Sequence, residues 1–180
     1  NLKKFSPQKR SFEKDNIYTY IYIGRMLADK GLRELVSAVK IINKDKIVCR
    51  LLLYGPFDSD NVSSIAIEEI NDWDNIPGVK YKGITDNPEL ELQKGDCVVL
   101  PSYREGMPRS LLEAGAMGLP SVATNVPGCK HIIQNNINGI LCNPKSVESL
   151  AKAMKKMINI SPEDKREMGQ RAREIVVKNF

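Results

Sequence analysis

The sequence predicts an α/β fold: a doubly wound parallel sheet of about six strands with helices on both faces. Three observations carry this. Short runs rich in aromatic and β-branched residues recur along the chain, as strands buried on both faces require. Gly or Pro closes most of these runs, and segments with apolar residues at helical spacing separate them. Such alternation calls for right-handed crossovers between parallel strands, and the expected order is 3-2-1-4-5-6.

Tyr18–Ile23, the run YTYIYI, is the first strand, ended by Gly24. Leu32, Leu35, Val36 and Val39 then fall on one face of a helix ending near Asn43, with Arg33, Glu34, Ser37 and Lys40 between them. Residues 48–54 repeat the strand pattern as far as Gly55 and Pro56, and residues 65–73 read as a second helix. A short third strand over residues 79–82 is closed by Gly83. A brief helix around Leu90 and Leu92 leads to Cys97–Leu100, a fourth strand stopped by Pro101. Residues 110–117 are helical, Ser121–Thr124 is a fifth strand, and residues 140–142 make a sixth. Val147, Leu150, Ala151, Met154, Met157 and Ile158 share one face of a helix that Ser146 caps. Ser161, Pro162 and Asp164 supply an N-cap, a first-turn proline and an acid for a last helix toward Val177.

Composition limits the function classes. At 180 residues, with 42% hydrophobic and 27% charged side chains, the chain can bury a core, so fibrous and disordered readings fail. Its apolar runs are too short to span a bilayer as a helix. The four cysteines form no CxxC pair and read as reduced core thiols of a cytoplasmic protein. The net charge of +5 is concentrated at the ends: residues 1–14 hold five Lys and Arg against one Glu, and residues 152–180 hold eight against four acids. The body between is slightly acidic and only 6% of residues are aromatic, which argues against nucleic acid as a partner. Basic ends suit either solvated helix faces or anionic headgroups at the inner face of a cell membrane. Residues 1–17 lack a clear period and begin with Asn1, which predicts a linker or domain-boundary segment ahead of a domain over residues 18–180.

In a doubly wound sheet, ligands bind beyond the carboxyl ends of the strands at the switch point, between strands one and four. That singles out the loop Gly24–Gly31, with Arg25 and Lys30, and the loop Pro101–Ser110, which runs into a helix containing Glu113. A helix N-terminus offers unpaired amides and a partial positive charge, so with two cations across the crevice the site is shaped for a diphosphate. Glu105 and Glu113, eight residues apart, suit hydroxyl groups on either side of it. Each residue has a plainer reading: a lone Arg25 or Lys30 is usually a solvated charge, glutamates at this spacing occur by chance, and Arg109 is equally a phosphate ligand or a solvent-facing helix residue. Their joint placement, with Gly106 and Pro108 shaping the loop, favours function.

Other candidates are weaker. Asp58-Ser59-Asp60 has the form of a metal-diphosphate motif but can equally cap the second helix. His131, the only histidine, leaves no material for a histidine metal cluster or a Ser/His/Asp triad and reads as a core or cap residue. Neither GxGxxG nor GxxxxGK[ST] follows the first strand.

The stretch PSYREGMPRSLLEAGAMGLPSVAT, from Glu105 to Glu113 above all, resembles the E-x7-E signature of family 4 retaining glycosyltransferases, whose two-domain architecture is called GT-B. GRMLADKG resembles that family's GR…KG loop, and NVPGCK and NNINGILC resemble its later blocks. The resemblance runs from Tyr18 to the end and implies the C-terminal, Rossmann-like half of a GT-B fold, which binds a nucleotide-sugar donor, most simply a UDP-sugar. It implies that Arg25 and Lys30 bind the donor diphosphate and stabilise it as leaving group, that Glu105 meets the donor sugar hydroxyls, and that Glu113 holds the ribose. The amides of Met107 to Ser110, including Pro108 and Arg109 beside Gly106, match the phosphate cradle, while Gly83 and Ile84 match the region lining the base. No metal and no cofactor is implied. The partners implied are a saccharide or lipid-linked saccharide acceptor and an N-terminal acceptor domain beyond this chain, without which the domain is inactive. The family's common EGFGLPxLEA is EGMPRSLLEA here, and His131 stands where an acid is common. The variant motifs look most like transferases that build capsule or O-antigen. Two other classes share the architecture: a GT-B sugar-nucleotide epimerase, and a regulatory domain without chemistry.

Overall fold

A computed structural model describes residues 1–7 and 17–180. Strands β1 (Tyr18–Ile23), β2 (Cys49–Tyr54), β3 (Val79–Tyr81), β4 (Cys97–Leu100), β5 (Ser121–Thr124) and β6 (Gly139–Cys142) form one sheet in the order β3-β2-β1-β4-β5-β6. Every pairing is parallel. Burial explains who sits at the centre. Tyr20, Ile21 and Tyr22 of β1 are fully buried, and β4 and β5 are buried at every position. By contrast β3 is a three-residue edge strand that exposes Lys80, as an edge that must not pair further tends to do. Successive residues of β1 serve opposite faces. The hydroxyl of Tyr20 donates to Met154 O at 2.7 Å, while Ile21 packs so closely on Gly95 that a Cβ there would meet its side chain.

Helix α1 (Leu32–Ile42) turns Leu32, Leu35, Val36, Ala38, Val39 and Ile42 inward and lies against α6 (Val147–Asn159). Helix α4 (Arg109–Ala116) lies against α7 (Pro162–Asn179), and glycine makes that approach possible: a Cβ on Gly169 would sit 2.1 Å from Gly118 O, and one on Gly115 2.7 Å from Val176. Ser146 and Ser161 cap α6 and α7 as expected, each hydroxyl accepting from the amide three residues on.

Two elements depart from the sequence pattern. Helix α2 (Ile67–Trp73) starts two residues late, because Ile65 is buried in the preceding loop with its amide donating to Met26 O at 3.1 Å. The short helix α3 (Pro88–Leu92) stands where expected, but α5 (Pro127–Lys130) has no counterpart in the periodicity, which four residues cannot display. His131 is the exposed C-cap of α5, the cap alternative of its two readings. All four cysteines are buried, and burial pushes the thiols of Cys49, Cys129 and Cys142 up to about 12. Among the described residues no helix is long and apolar enough to cross a membrane. The expected linker over residues 1–17 falls partly on 8–16, outside the described residues. Ahead of them Phe5 is buried and its carbonyl accepts from Arg173, while Lys4 pairs with Glu89 at 3.2 Å.

Candidate functional site

Because β1 and β4 are neighbours at the reversal of strand order, their carboxyl-end loops meet. The contact is backbone to backbone. Gly31, at φ 71°, closes the turn after Ala28–Lys30 and approaches so near the second loop that a Cβ would sit 2.2 Å from Pro101 O. Tyr103 N–H then donates to Asp29 O at 2.9 Å. The adjoining strand ends are stitched in sequence: Gly24 N–H donates to Tyr54 O and Gly55 N–H to Gly83 O, both at 2.9 Å.

A cleft of about 540 Å³ opens over this junction. Arg25, Lys30, Glu105 and Glu113 all line it. Met107, Pro108, Arg109 and Ser110, around the start of α4, also line it, as does Ile84, 68% exposed. Gly83 holds φ 78° beside Ile84, and nothing lies within 4 Å of where its Cβ would be. Of the sequence-predicted site residues, all but Gly83 and Gly106 line this cleft, from three strand ends and one helix.

Two of the charges meet directly. Lys30 Nζ donates to Glu105 Oε1 at 2.7 Å, with only 20% and 12% of the two side chains exposed. Arg25 NH1 donates to Asp58 Oδ2 at 2.6 Å from the loop after β2. Burial holds the Glu113 carboxyl above the usual Glu range, and Arg109, 3.7 Å away, offsets part of that rise. Beneath the first loop Tyr22 donates to Arg25 O at 2.8 Å, and burial together with the nearby Glu105 charge raises its phenol well above the ordinary value.

The geometry corrects three expectations. Pro108 has no amide proton, so it joins no cradle as a donor; it is the N-cap of α4, and the first free amides are those of Arg109 and Ser110, which have no intrahelical acceptor. Gly106 does not shape the loop through backbone freedom, since its φ is ordinary and nothing lies within 4 Å of a Cβ there. Asp58 caps no helix, because α2 begins only at Ile67; its partner is Arg25.

Sequence reasoning also missed supports of the site. Gly128 in α5 lies against the loop so tightly that a Cβ would sit 2.3 Å from Gly106 O and 2.4 Å from Glu105 O. The signal was present in VPGCK, but no local pattern says which loop that glycine serves. Tyr103, two residues before Glu105, donates to Glu34 Oε1 of α1 at 2.6 Å and carries Lys145 over its ring at 5.0 Å. Chemically, cations and helix amides on one cleft suit a polyanion, and carboxylates at its edges accept hydroxyl donors.

The sequence matches the family described as glycosyl transferases group 1 over residues 3–175. It is 32% identical over 161 residues to the N,N'-diacetylbacillosaminyl-diphospho-undecaprenol alpha-1,3-N-acetylgalactosaminyltransferase of Campylobacter jejuni, covering 84% of this chain and 41% of that protein. It is 29% identical over 149 residues to the capsular polysaccharide biosynthesis glycosyltransferase CapM of Staphylococcus aureus, covering 77% of this chain and 36% of that one. Among solved structures, sucrose-phosphate synthase from Thermosynechococcus elongatus superposes with a TM-score of 0.87 at 27% identity, over 100% of this chain and 46% of its own. The chain therefore spans about two fifths of the length of the curated relatives it matches.

Proposed function

We propose, on the premise that this chain belongs to the glycosyl transferases group 1 family, that its cleft is the donor site of a retaining, metal-independent glycosyltransferase. The donor is a nucleotide-sugar, first of all a UDP-sugar. The observation that carries the reading is the convergence of Arg25, Lys30, Glu105, Glu113 and the start of α4 on one cleft at the switch point. Arg25, Lys30 and the amides of Arg109 and Ser110 bind the diphosphate. They stabilise the charge that grows on it as the bond to the sugar breaks, which is when such contacts accelerate a reaction. Glu105 accepts from sugar hydroxyls, Glu113 from the ribose, and the base lies along Gly83 and Ile84. The acceptor attacks from the face that the diphosphate leaves, so the anomeric configuration is retained.

The named activities of the two relatives support a saccharide or lipid-linked saccharide acceptor and a place in bacterial surface-polysaccharide synthesis. An acceptor domain outside this chain completes the cleft. With cations supplied by Arg25 and Lys30, the diphosphate needs no bound metal. Calorimetry of UDP and other nucleoside diphosphates in EDTA tests the reading: binding is expected, and its absence for every nucleotide at millimolar concentration would refute it.

A further inference from the structure

The contact between Lys30 and Glu105 spans the two loops, joining residues 75 positions apart at 2.7 Å. Both side chains are largely shielded, with 20% and 12% exposed. A shielded carboxylate depends on its cation far more than a surface one does, because little water remains to take the cation's place. The second pair of the cleft differs. Arg25 is 53% exposed and Asp58 29%, so water screens that pair and either partner can be released cheaply.

An anion that takes Lys30 for itself therefore leaves Glu105 without its partner, and one that shares its three N–H donors still competes with Glu105 for the same charge. From this we infer that Glu105 makes the cleft discriminate against a free nucleoside diphosphate in favour of one that carries a sugar. The inference rests on the donor-site reading above and deepens it. A free terminal phosphate, whose second ionisation lies near pH 6, brings up to one more negative charge than a phosphate esterified to sugar. It places that charge beside a carboxylate whose cation it has just taken, and offers it no hydroxyl. A sugar ester brings less charge and hydroxyls that donate to Glu105 in place of Lys30. The same carboxylate thus repels the spent nucleotide and accepts the loaded one. After transfer, Lys30 returns to Glu105 and the nucleotide leaves.

Calorimetry with UDP and with inorganic pyrophosphate tests this on the wild type, Glu105→Gln, Glu105→Ala, Lys30→Ala and the double variant Lys30→Ala/Glu105→Gln. Both Glu105 variants are expected to bind both probes about tenfold tighter, the equivalent of one freed charge-assisted hydrogen bond. In the Lys30→Ala background the gain from Glu105→Gln should shrink, because only the relief of the carboxylate's repulsion remains and no Lys30 is left to be freed. Unchanged or weaker binding in the Glu105 variants, with Lys30→Ala still weakening both probes, would overturn the inference and leave the donor site standing. Tightening in Glu105→Gln alone would also overturn it, because the new amide would then be donating to phosphate. If Lys30→Ala binds both probes like the wild type, the donor-site reading itself falls.

Discussion

Arg25 NH1 donates to Asp58 Oδ2 at 2.6 Å, which ties the loop after β1 to the loop after β2 at the mouth of the cleft. With 53% and 29% of the two side chains exposed, the pair contributes at most about 1 kcal/mol to folding. Asp58→Asn is therefore expected to leave the urea unfolding free energy within about 1 kcal/mol of the wild type. Arg25→Ala should leave folding equally intact yet weaken UDP by about 1.5 kcal/mol, the lower end for a hydrogen bond to a charged group because this one is half solvated. A large folding loss in either variant would assign the pair to structure.

Glu113 carries a pH signature. Burial raises its carboxyl above the usual Glu range, so it protonates while exposed glutamates are still charged. As the pH falls, UDP affinity should decline before ordinary carboxylates titrate, and Glu113→Gln should remove that component. Stability responds with the opposite sense. A carboxyl whose folded pKa exceeds its unfolded one favours folding below the unfolded value, and that contribution is lost as pH rises through the folded pKa. At neutral pH, Glu113→Gln should thus raise the melting temperature while weakening UDP. A variant that loses both stability and affinity would contradict the assignment.

The loop bearing Glu105 rests on Gly128. A methyl at that position would stand 2.3 Å from Gly106 O, so Gly128→Ala must push the backbone at residues 105–106 away from α5. A cost of about 1–3 kcal/mol in stability is expected, with a larger loss of sugar transfer than of UDP binding. Gly106→Ala is the control, since open space surrounds the added carbon there, and it should fold normally. Equal effects from the two substitutions, read by urea unfolding, would show that the contact does not position the loop.

The chain by itself is expected not to transfer sugar. Orienting an acceptor and excluding water can be worth about 7–11 kcal/mol, and the loops described here supply the donor side alone. The comparison is between this chain and the full-length protein with the same donor and acceptor. Transfer by the chain within about tenfold of the whole enzyme, a difference of only 1.4 kcal/mol, would place the acceptor site in this domain.

Much of this was legible in the residues themselves. Strands buried on both faces are apolar throughout, so YTYIYI and CVVL announce central strands without any partner being known. Parallel strands require right-handed crossovers, and that handedness leaves few ways to order six strands. Arg25, Lys30, Glu105 and Glu113 were readable because each lies in the loop after a strand end that the topology brings to the switch point, or in the helix that such a loop opens. The helix α5 was not, since four residues show no period, nor was the late start of α2, which Ile65 decides by being buried in a loop.

The sequence by itself determined the strands, every helix but α5, the order in which the strands pair, and which charged residues reach the cleft, because periodicity, turn chemistry and crossover handedness are local or topological rules. Only the tertiary structure decided who holds whom. Lys30 meets Glu105 across 75 positions, and Arg25 meets Asp58 across 33. Gly128 of α5 comes to lie against the carbonyls of residues 105 and 106. Such contacts depend on close packing between segments distant along the chain, where a shift of one ångström separates a hydrogen bond from a clash, and no pattern within a single segment encodes that distance.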